Sequence, residues 1–258
     1  MLIKPPIWNW SPGLVAPEWR CLLRGLEFVA MPWHMAASSP LDSIRQLIGT
    51  SYNDPAEILY DGLRGLKFDY SSGDYVSWPT LSIGASDPFA MDALVWVPSD
   101  ATYGTQVICG VSDSGGNMSR AFALWTDDPN LGIDAAVITS GAARERYSLG
   151  YDVPRNRWLH FAMSHSGGAV APDFWLEGSY ISNYNTGDGT NVAASGPVKI
   201  GADPTYPADM AVALVRVWKR QLLSSEVSLL ASDPLGMFGF ARQIPLPLMY
   251  RHTLRGRR

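Results

Sequence analysis

At 258 residues the chain can hold one large sandwich or two small domains. Its 47% hydrophobic and 17% charged composition supplies a core and excludes disorder over most of the length. The net charge of −4 excludes a nucleic-acid binder acting through overall charge, though it leaves room for a local basic patch.

Residues 1–23 contain four prolines and three tryptophans, Trp8, Trp10 and Trp19, with little periodicity. The start, Met1 to Pro6, has one lysine and a proline pair in place of an apolar run. No secretory signal fits it, and no stretch of about eighteen apolar residues predicts membrane insertion; synthesis in a cytoplasm is expected. A weak helical pattern covers Leu41 to Ile48, after Ser38-Ser39-Pro40. Strand signals then dominate. Leu66 to Tyr70 and Tyr75 to Trp78 read as a hairpin about Ser71-Ser72-Gly73-Asp74. Phe89 to Val97 follows, stopped by Pro98. Thr105 to Val111 and Ala121 to Trp125 form a pair about Asp113-Ser114-Gly115-Gly116-Asn117, and Ala135 to Thr139 and Tyr147 to Tyr151 continue the series.

Further strands come at Arg157 to Ala162, Asp173 to Gly178, Gly196 to Gly201 and Leu214 to Trp218. The convincing helix is Ser224 to Ala231: Ser224 can cap it, Glu226 lies in its first turn, and Asp233-Pro234 ends it. Residues 235–258 are apolar but broken by Pro245 and Pro247, and end in a basic tail. Proline keeps both termini from forming ordinary helices, so extended arms lying on something are expected. Short strands separated by turns, with no long helices between them, predict an antiparallel sandwich rather than βαβ units. No internal repeat is visible.

Cys21 and Cys109 are the only cysteines. They could pair, but Cys109 sits in an apolar strand, Gln106 to Gly110, where a free thiol acts as a small hydrophobe. Ten tryptophans are many for this length. Large sandwiches use tryptophan to fill the core, and sugar-binding sheets use it as a platform.

Four pieces in order resemble the laminin-G/concanavalin A-like jelly roll. Gly65 to Asp69 with Asp74-Tyr75-Val76 is similar to its opening F-D-x-x-D-Y-V pair, and Phe89 to Val97 to its F-T-x-x-x-W strand. Trp158 to Ala162 with Leu176-Glu177-Gly178 resembles W-x-H-x-A…L-Y-x-x-G. Leu214 to Glu226 resembles V-R-I-Y-N-R-x-L-S-x-x-E-I. The resemblance implies an all-β antiparallel jelly-roll sandwich with one short C-terminal helix. It divides the chain into an N-terminal arm (1–23), the jelly roll (24–234, clearest over 60–234) and a C-terminal arm (235–258). The ends resemble tailed-phage and prophage proteins carrying this jelly roll. The pieces concerned are the M-L-x-K-P-P start, Leu22 to Leu26, and a close of type N-P-W-x-x-F-x-P. Here that close reads Asp233 to Phe238, without its Asn and Trp.

Catalytic motifs are sparse. A retaining glycosidase of this fold needs two neighbouring glutamates on one strand. The glutamates are Glu18, Glu27, Glu57, Glu145, Glu177 and Glu226, and none forms such a run; Asp–Glu pairs from separate strands stay open. His160 and His165 fall on opposite faces of a continuous strand, so they are not joint metal ligands without a turn between them. His160 is expected to pack beside Trp158 at the core edge. Acidic loops at Asp113, at Asp127 and Asp128, and at Asp188 offer hard oxygen ligands, so calcium is the one ion considered; the same residues are ordinary turn chemistry. No other cofactor is expected. Trp125, Trp175, Tyr180, Tyr184 and Tyr206 are the candidate sugar platforms.

The resemblance therefore implies a non-enzymatic virion structural protein of a tailed phage, a capsid decoration or minor head protein with its jelly roll outward. Trp8, Trp10, Phe238, Phe240, Ile244, Leu246, Leu248, Arg251, Arg255, Arg257 and Arg258 would anchor it to other virion proteins, capsid or tail subunits, and a homo-oligomer is expected. A glycan-binding adhesin touching a host surface is the alternative, and a glycoside hydrolase the third reading.

Overall fold

The computed structural model describes residues 17–31, 40–45, 47–69, 71–99, 106–113, 118–127, 130–139, 142–147, 153–168, 170, 172–181, 184–186, 193–201 and 209–238. Of residues 17, 118–120, 122–127, 130–139, 142–147 and 184–186 only the backbone is described. Strands, numbered in chain order, fall into two antiparallel sheets. The ten-stranded sheet runs β15 (Ser179–Ile181), β14 (Asp173–Leu176), β13 (Trp158–His165), β8 (Phe89–Trp96), β18 (Met210–Trp218). It continues through β1 (Leu26–Ala30), β2 (Leu41–Asp42) and β3 (Leu47–Ile48), while β6 (Leu63–Phe68) also pairs with β18 and carries β5 (Ala56–Tyr60).

The eight-stranded sheet begins with β16 (Tyr184–Thr186), β12 (Ala142–Tyr147), β11 (Asn130–Thr139) and β10 (Met118–Asp127). It then runs through β9 (Gln106–Ser112), β17 (Ala194–Ile200), β7 (Tyr75–Ile83) and β4 (Thr50–Tyr52). The predicted antiparallel sandwich is what the chain forms.

Strand alternation explains the core between the sheets. Phe28, Leu66, Phe68, Phe89, Met91, Phe161 and Val217 from one sheet meet Val76, Trp78, Ile83, Val198 and Ile200 from the other. β13 and β18 are buried on both faces, because the ten-stranded sheet carries a second apolar layer outside. That layer joins Trp158, Trp175 and Trp218 to Trp19 and Leu22 of a 3-10 helix (Pro17–Leu23), to Val227 and Leu230 of α1 (Ser224–Ser232), and to Met237 of a 3-10 turn (Gly236–Phe238). Trp19, Trp78, Trp158, Trp175 and Trp218 are all buried, so the core use of tryptophan prevails at these positions.

Three local expectations are corrected. Residues 66–70 and 75–78 do not make a hairpin: β6 lies in the ten-stranded sheet and β7 in the other, so the Asp69–Asp74 connection crosses between sheets. Leu66 and Phe68 face Val76 and Trp78 across the core, and alternation looks the same for facing strands as for paired ones. Leu41 to Ile48 is not a helix but β2, a turn and β3. The Asp42 carboxylate accepts the N–H groups of Val29 (3.2 Å), Ile44 (3.0 Å) and Arg45 (3.4 Å), closing the turn. Of the strand expected at 147–151 only Tyr147, the last residue of β12, is described; 148–151 lie outside the described residues. The helix appears as α1, but Ser224 is its first residue rather than its cap. Leu223 caps it by backbone geometry, donating its N–H to Glu226 Oε2 at 2.9 Å. No described helix is long and apolar enough to cross a membrane.

Candidate functional site

Two of the expected platform aromatics come together at the rim of the ten-stranded sheet. The β14–β15 hairpin turns through Glu177 and Gly178 at φ 52° and 75°, a left-handed pair that favours glycine. This turn rests on α1, where Gly178 lies beside Ser228 and Ala231. The register places Trp175 opposite Tyr180. Their rings meet edge to face at 5.7 Å, with Trp175 buried and Tyr180 53% exposed. Asp173, two residues before Trp175 on the same face, accepts a hydrogen bond from the Tyr180 hydroxyl at 3.1 Å. An exposed ring fixed by a buried one, beside a carboxylate, offers stacking and hydroxyl acceptance on one surface.

Trp125 and Tyr184 lie in β10 and β16, and their side chains are outside the described residues, as is Tyr206 altogether. Of the calcium candidates, Asp128 and Asp188 fall outside, and of Asp127 only the backbone in β10 is described. Asp113 follows β9, half-buried, its carbonyl against Gly196. No group of three or more His, Cys, Asp or Glu positioned to hold a metal occurs among the described residues.

An aromatic pair on the eight-stranded sheet escaped the sequence. Tyr52 and Tyr75 are opposite each other in the β4–β7 register and stack at 4.2 Å, with the Lys199 ammonium 6.0 Å above the Tyr75 ring. The two tyrosines are 23 positions apart in sequence, and only the strand register brings them together.

Buried charge lies beneath the outer apolar layer. Asp92 on β8, Arg216 on β18 and His160 on β13 are all buried. Arg216 Nε donates to Asp92 Oδ1 at 2.8 Å and its Nη2 to Oδ2; His160 Nε2 lies 2.9 Å from the same Oδ2. Burial alone would push the Asp92 carboxyl up. The Arg216 charge and the hydrogen bonds from His160 and Arg216 outweigh it and hold the carboxyl below the ordinary range. His160 is thus not at the core edge: it is a buried partner of Asp92, and His165 points to the opposite face, beside Phe89. The Asp–His pair resembles catalytic geometry, but a substrate cannot reach it.

Its role is structural and directional. Arg216 Nη1 donates to the Pro234 carbonyl at 3.0 Å and lies 3.1 Å from Met237 Sδ, and the guanidinium sits 5.9 Å from the Phe238 ring centre. The C-terminal segment is thereby fixed on the outer face. The N-terminal 3-10 helix reaches the same patch: Trp218 Nε1 donates to the Leu22 carbonyl at 2.7 Å. Gly236 packs so closely on Trp19 that a side chain there would overlap the ring. Arg220 ties in the start of α1, with Nη1 and Nη2 each 2.7 Å from a Glu226 oxygen and Nε 2.6 Å from the Arg24 carbonyl. Residues 17–23 and 235–238, which the sequence assigns to arms, therefore pack on the sandwich, and the described chain enters and leaves at one patch. Among the anchor residues Phe238 is placed here; Trp8, Trp10, Phe240, Ile244, Leu246, Leu248, Arg251, Arg255, Arg257 and Arg258 lie outside the described residues.

Cys21 and Cys109 are free, Cys21 exposed and Cys109 buried. Burial, with the Asp92 charge adding to it, pushes the Cys109 thiol far up, as befits an inert core residue.

A family model for the concanavalin A-like lectin/glucanases superfamily matches residues 70–228. The chain belongs to this superfamily. No curated protein matches the sequence. Among solved structures, domain 4 of AbnA, a GH43 extracellular arabinanase from Geobacillus stearothermophilus in complex with arabinotriose, is 17% identical with a TM-score of 0.58. The match covers 80% of this chain and 98% of that one. Trypanosoma rangeli sialidase in complex with sialic acid gives 17% and 0.58, over 80% of this chain and 32% of the sialidase. The binding domain of Paraclostridial Mosquitocidal Protein 1 gives 11% and 0.63, over 82% and 52%. The chain thus spans about a third of the sialidase and half of the mosquitocidal binding domain. At these identities the likeness is one of fold.

Proposed function

We propose that this superfamily member is a non-enzymatic virion structural protein of a tailed phage, a capsid decoration or minor head protein that displays its sandwich. The observation that supports it is the meeting of Trp19, Trp218, Gly236 and Arg216 on one patch. Residues 1–16 and 239–258 continue the chain from adjacent points on the outer face of the ten-stranded sheet. Anchoring through both would leave the eight-stranded sheet turned away from the support. Apolar arm residues such as Ile244, Leu246 and Leu248 gain about 25 cal/mol per Å² buried on a neighbour, and their prolines lower the ordering cost.

The sequence favours binding over hydrolysis, since no two glutamates neighbour each other on one strand as a retaining glycosidase of this fold needs. Asp233, its carboxyl pKa raised by burial, accepts N–H groups of Leu235 and Gly236 beyond α1.

Deleting residues 239–258 tests the anchor: the truncated protein should fold with unchanged melting and disappear from purified particles, as read by mass spectrometry. Incorporation at normal occupancy would sink the reading. The cut must follow Phe238, because Met237 and the Pro234 carbonyl complete the Arg216 site.

The Trp175–Tyr180–Asp173 corner favours a second reading, a glycan-binding adhesin. AbnA domain 4 was solved with arabinotriose and the sialidase with sialic acid, which makes a sugar a reasonable ligand class. Here Tyr180→Ala should weaken glycan binding about two- to thirteenfold, since a ring contact contributes about 0.5–1.5 kcal/mol. Glycan-array signal unchanged by this substitution would discard the corner as the site.

A further inference from the structure

The eight-stranded sheet ends on β4, whose register with β7 pairs Thr50 with Ser77, Ser51 with Val76 and Tyr52 with Tyr75. The segment comes straight from the other sheet. β3 belongs to the ten-stranded sheet, and Gly49, between β3 and β4, lies so close to the Trp78 ring that a Cβ there would overlap it. A short end strand has few contacts to keep it closed.

A ring stack reinforces this end. The Tyr52 and Tyr75 centroids are 4.2 Å apart and the rings lie within 8° of parallel, a cross-strand pair of two phenols face to face. The other tyrosine pairs described differ: Tyr60 meets Trp96 tilted by 33°, and Tyr180 meets Trp175 at 67°. Tyr52 is 40% exposed and Tyr75 is half-buried, so an oxidant in solution reaches the pair. A phenol that loses an electron and its hydroxyl proton carries unpaired spin on the ring carbons beside the oxygen. Two such rings held face to face join at those carbons.

We propose that Tyr52 and Tyr75 are an oxidative modification site, at which a peroxidase-class oxidant using hydrogen peroxide couples them into dityrosine. Each phenol gives up one electron and its hydroxyl proton. The two radicals form one carbon–carbon bond, and each joined carbon then passes its hydrogen to its own ring oxygen, restoring both phenols. The two electrons and two protons reduce hydrogen peroxide to two waters. The bond joins ring carbons, so it requires neither hydroxyl to be free of other contacts. It pins β4 to β7 and closes a loop that holds β5, β6 and the crossing between the sheets. A link of this kind removes freedom from the unfolded chain.

Treating the dilute full chain with a haem peroxidase and hydrogen peroxide tests this. The monomer should become two hydrogen atoms lighter and gain dityrosine fluorescence, and digestion should release a peptide pair linked through Tyr52 and Tyr75. Tyr52→Phe keeps a ring against Tyr75 but has no hydroxyl proton to give, so it should lose the linked pair. An oxidised monomer without the link between these two residues, or a Tyr52→Phe variant that forms the same amount of intramolecular dityrosine, overturns the proposal.

Discussion

Asp92→Ala should destabilise the fold by about 3–5 kcal/mol, the cost of leaving one member of a buried ion pair without its partner. The stranded member is the Arg216 guanidinium, which lies on the outer face of β18 with no exposure to water. Thermal or denaturant unfolding measures the loss. The same carboxylate sets an acid limit. Its folded pKa lies below the ordinary value, so its contribution is present above the ordinary carboxylate range and is lost as pH falls through the folded value. Wild-type stability should therefore drop on strong acidification by more than that of the alanine variant. A substitution costing under about 1 kcal/mol, the range of surface ion pairs, would mean that Asp92 and Arg216 are solvated in solution. Changing both residues together to apolar ones of similar size should be far milder than either alone, because no charge is then stranded.

Trp218→Ala should cost about 3–5 kcal/mol, the usual range for removing a buried aromatic side chain. The indole is fully buried in the outer apolar layer beside Leu22 and Leu222. Its N–H also satisfies the Leu22 carbonyl, the end of the N-terminal 3-10 helix, so the truncation leaves a cavity and a buried acceptor unpaired. Trp218→Phe keeps most of the volume and should recover more than half of the loss. Protease sensitivity around Pro17 to Leu23 should rise in the alanine variant, since this contact joins residues 196 positions apart. Equal unfolding midpoints for alanine and wild type would remove Trp218 as the tie between the two ends.

The patterns that survived folding were those set by local chemistry. Phe89 to Trp96 and Trp158 to Phe161 were legible as strands because they are short apolar runs bounded by turn residues, as suits strands buried on both faces. The α1 helix was legible from Glu226 and Asp233-Pro234, whose effects act within one turn. The separation of His160 from His165 followed from the pleat alone.

What failed, or went unseen, required knowing which strand lies beside which. The 66–78 segment reads alike as a hairpin or as a crossing between sheets, since both put Phe68 and Val76 in one core. Asp92 is an acidic residue in an apolar strand, and nothing local says that Arg216, 124 positions away, will neutralise it. Tyr52 and Tyr75 became a stack, and Tyr180 gained Trp175, through register. Sequence by itself determined the sandwich class, many of its central strands and the superfamily, because apolar patterning and turn chemistry act over a few residues. Tertiary structure alone decided where charges pair, which aromatic rings meet and where the two ends of the sandwich come together. Those depend on contacts between residues far apart in the chain, and only the folded pairing of strands brings them within a few ångströms.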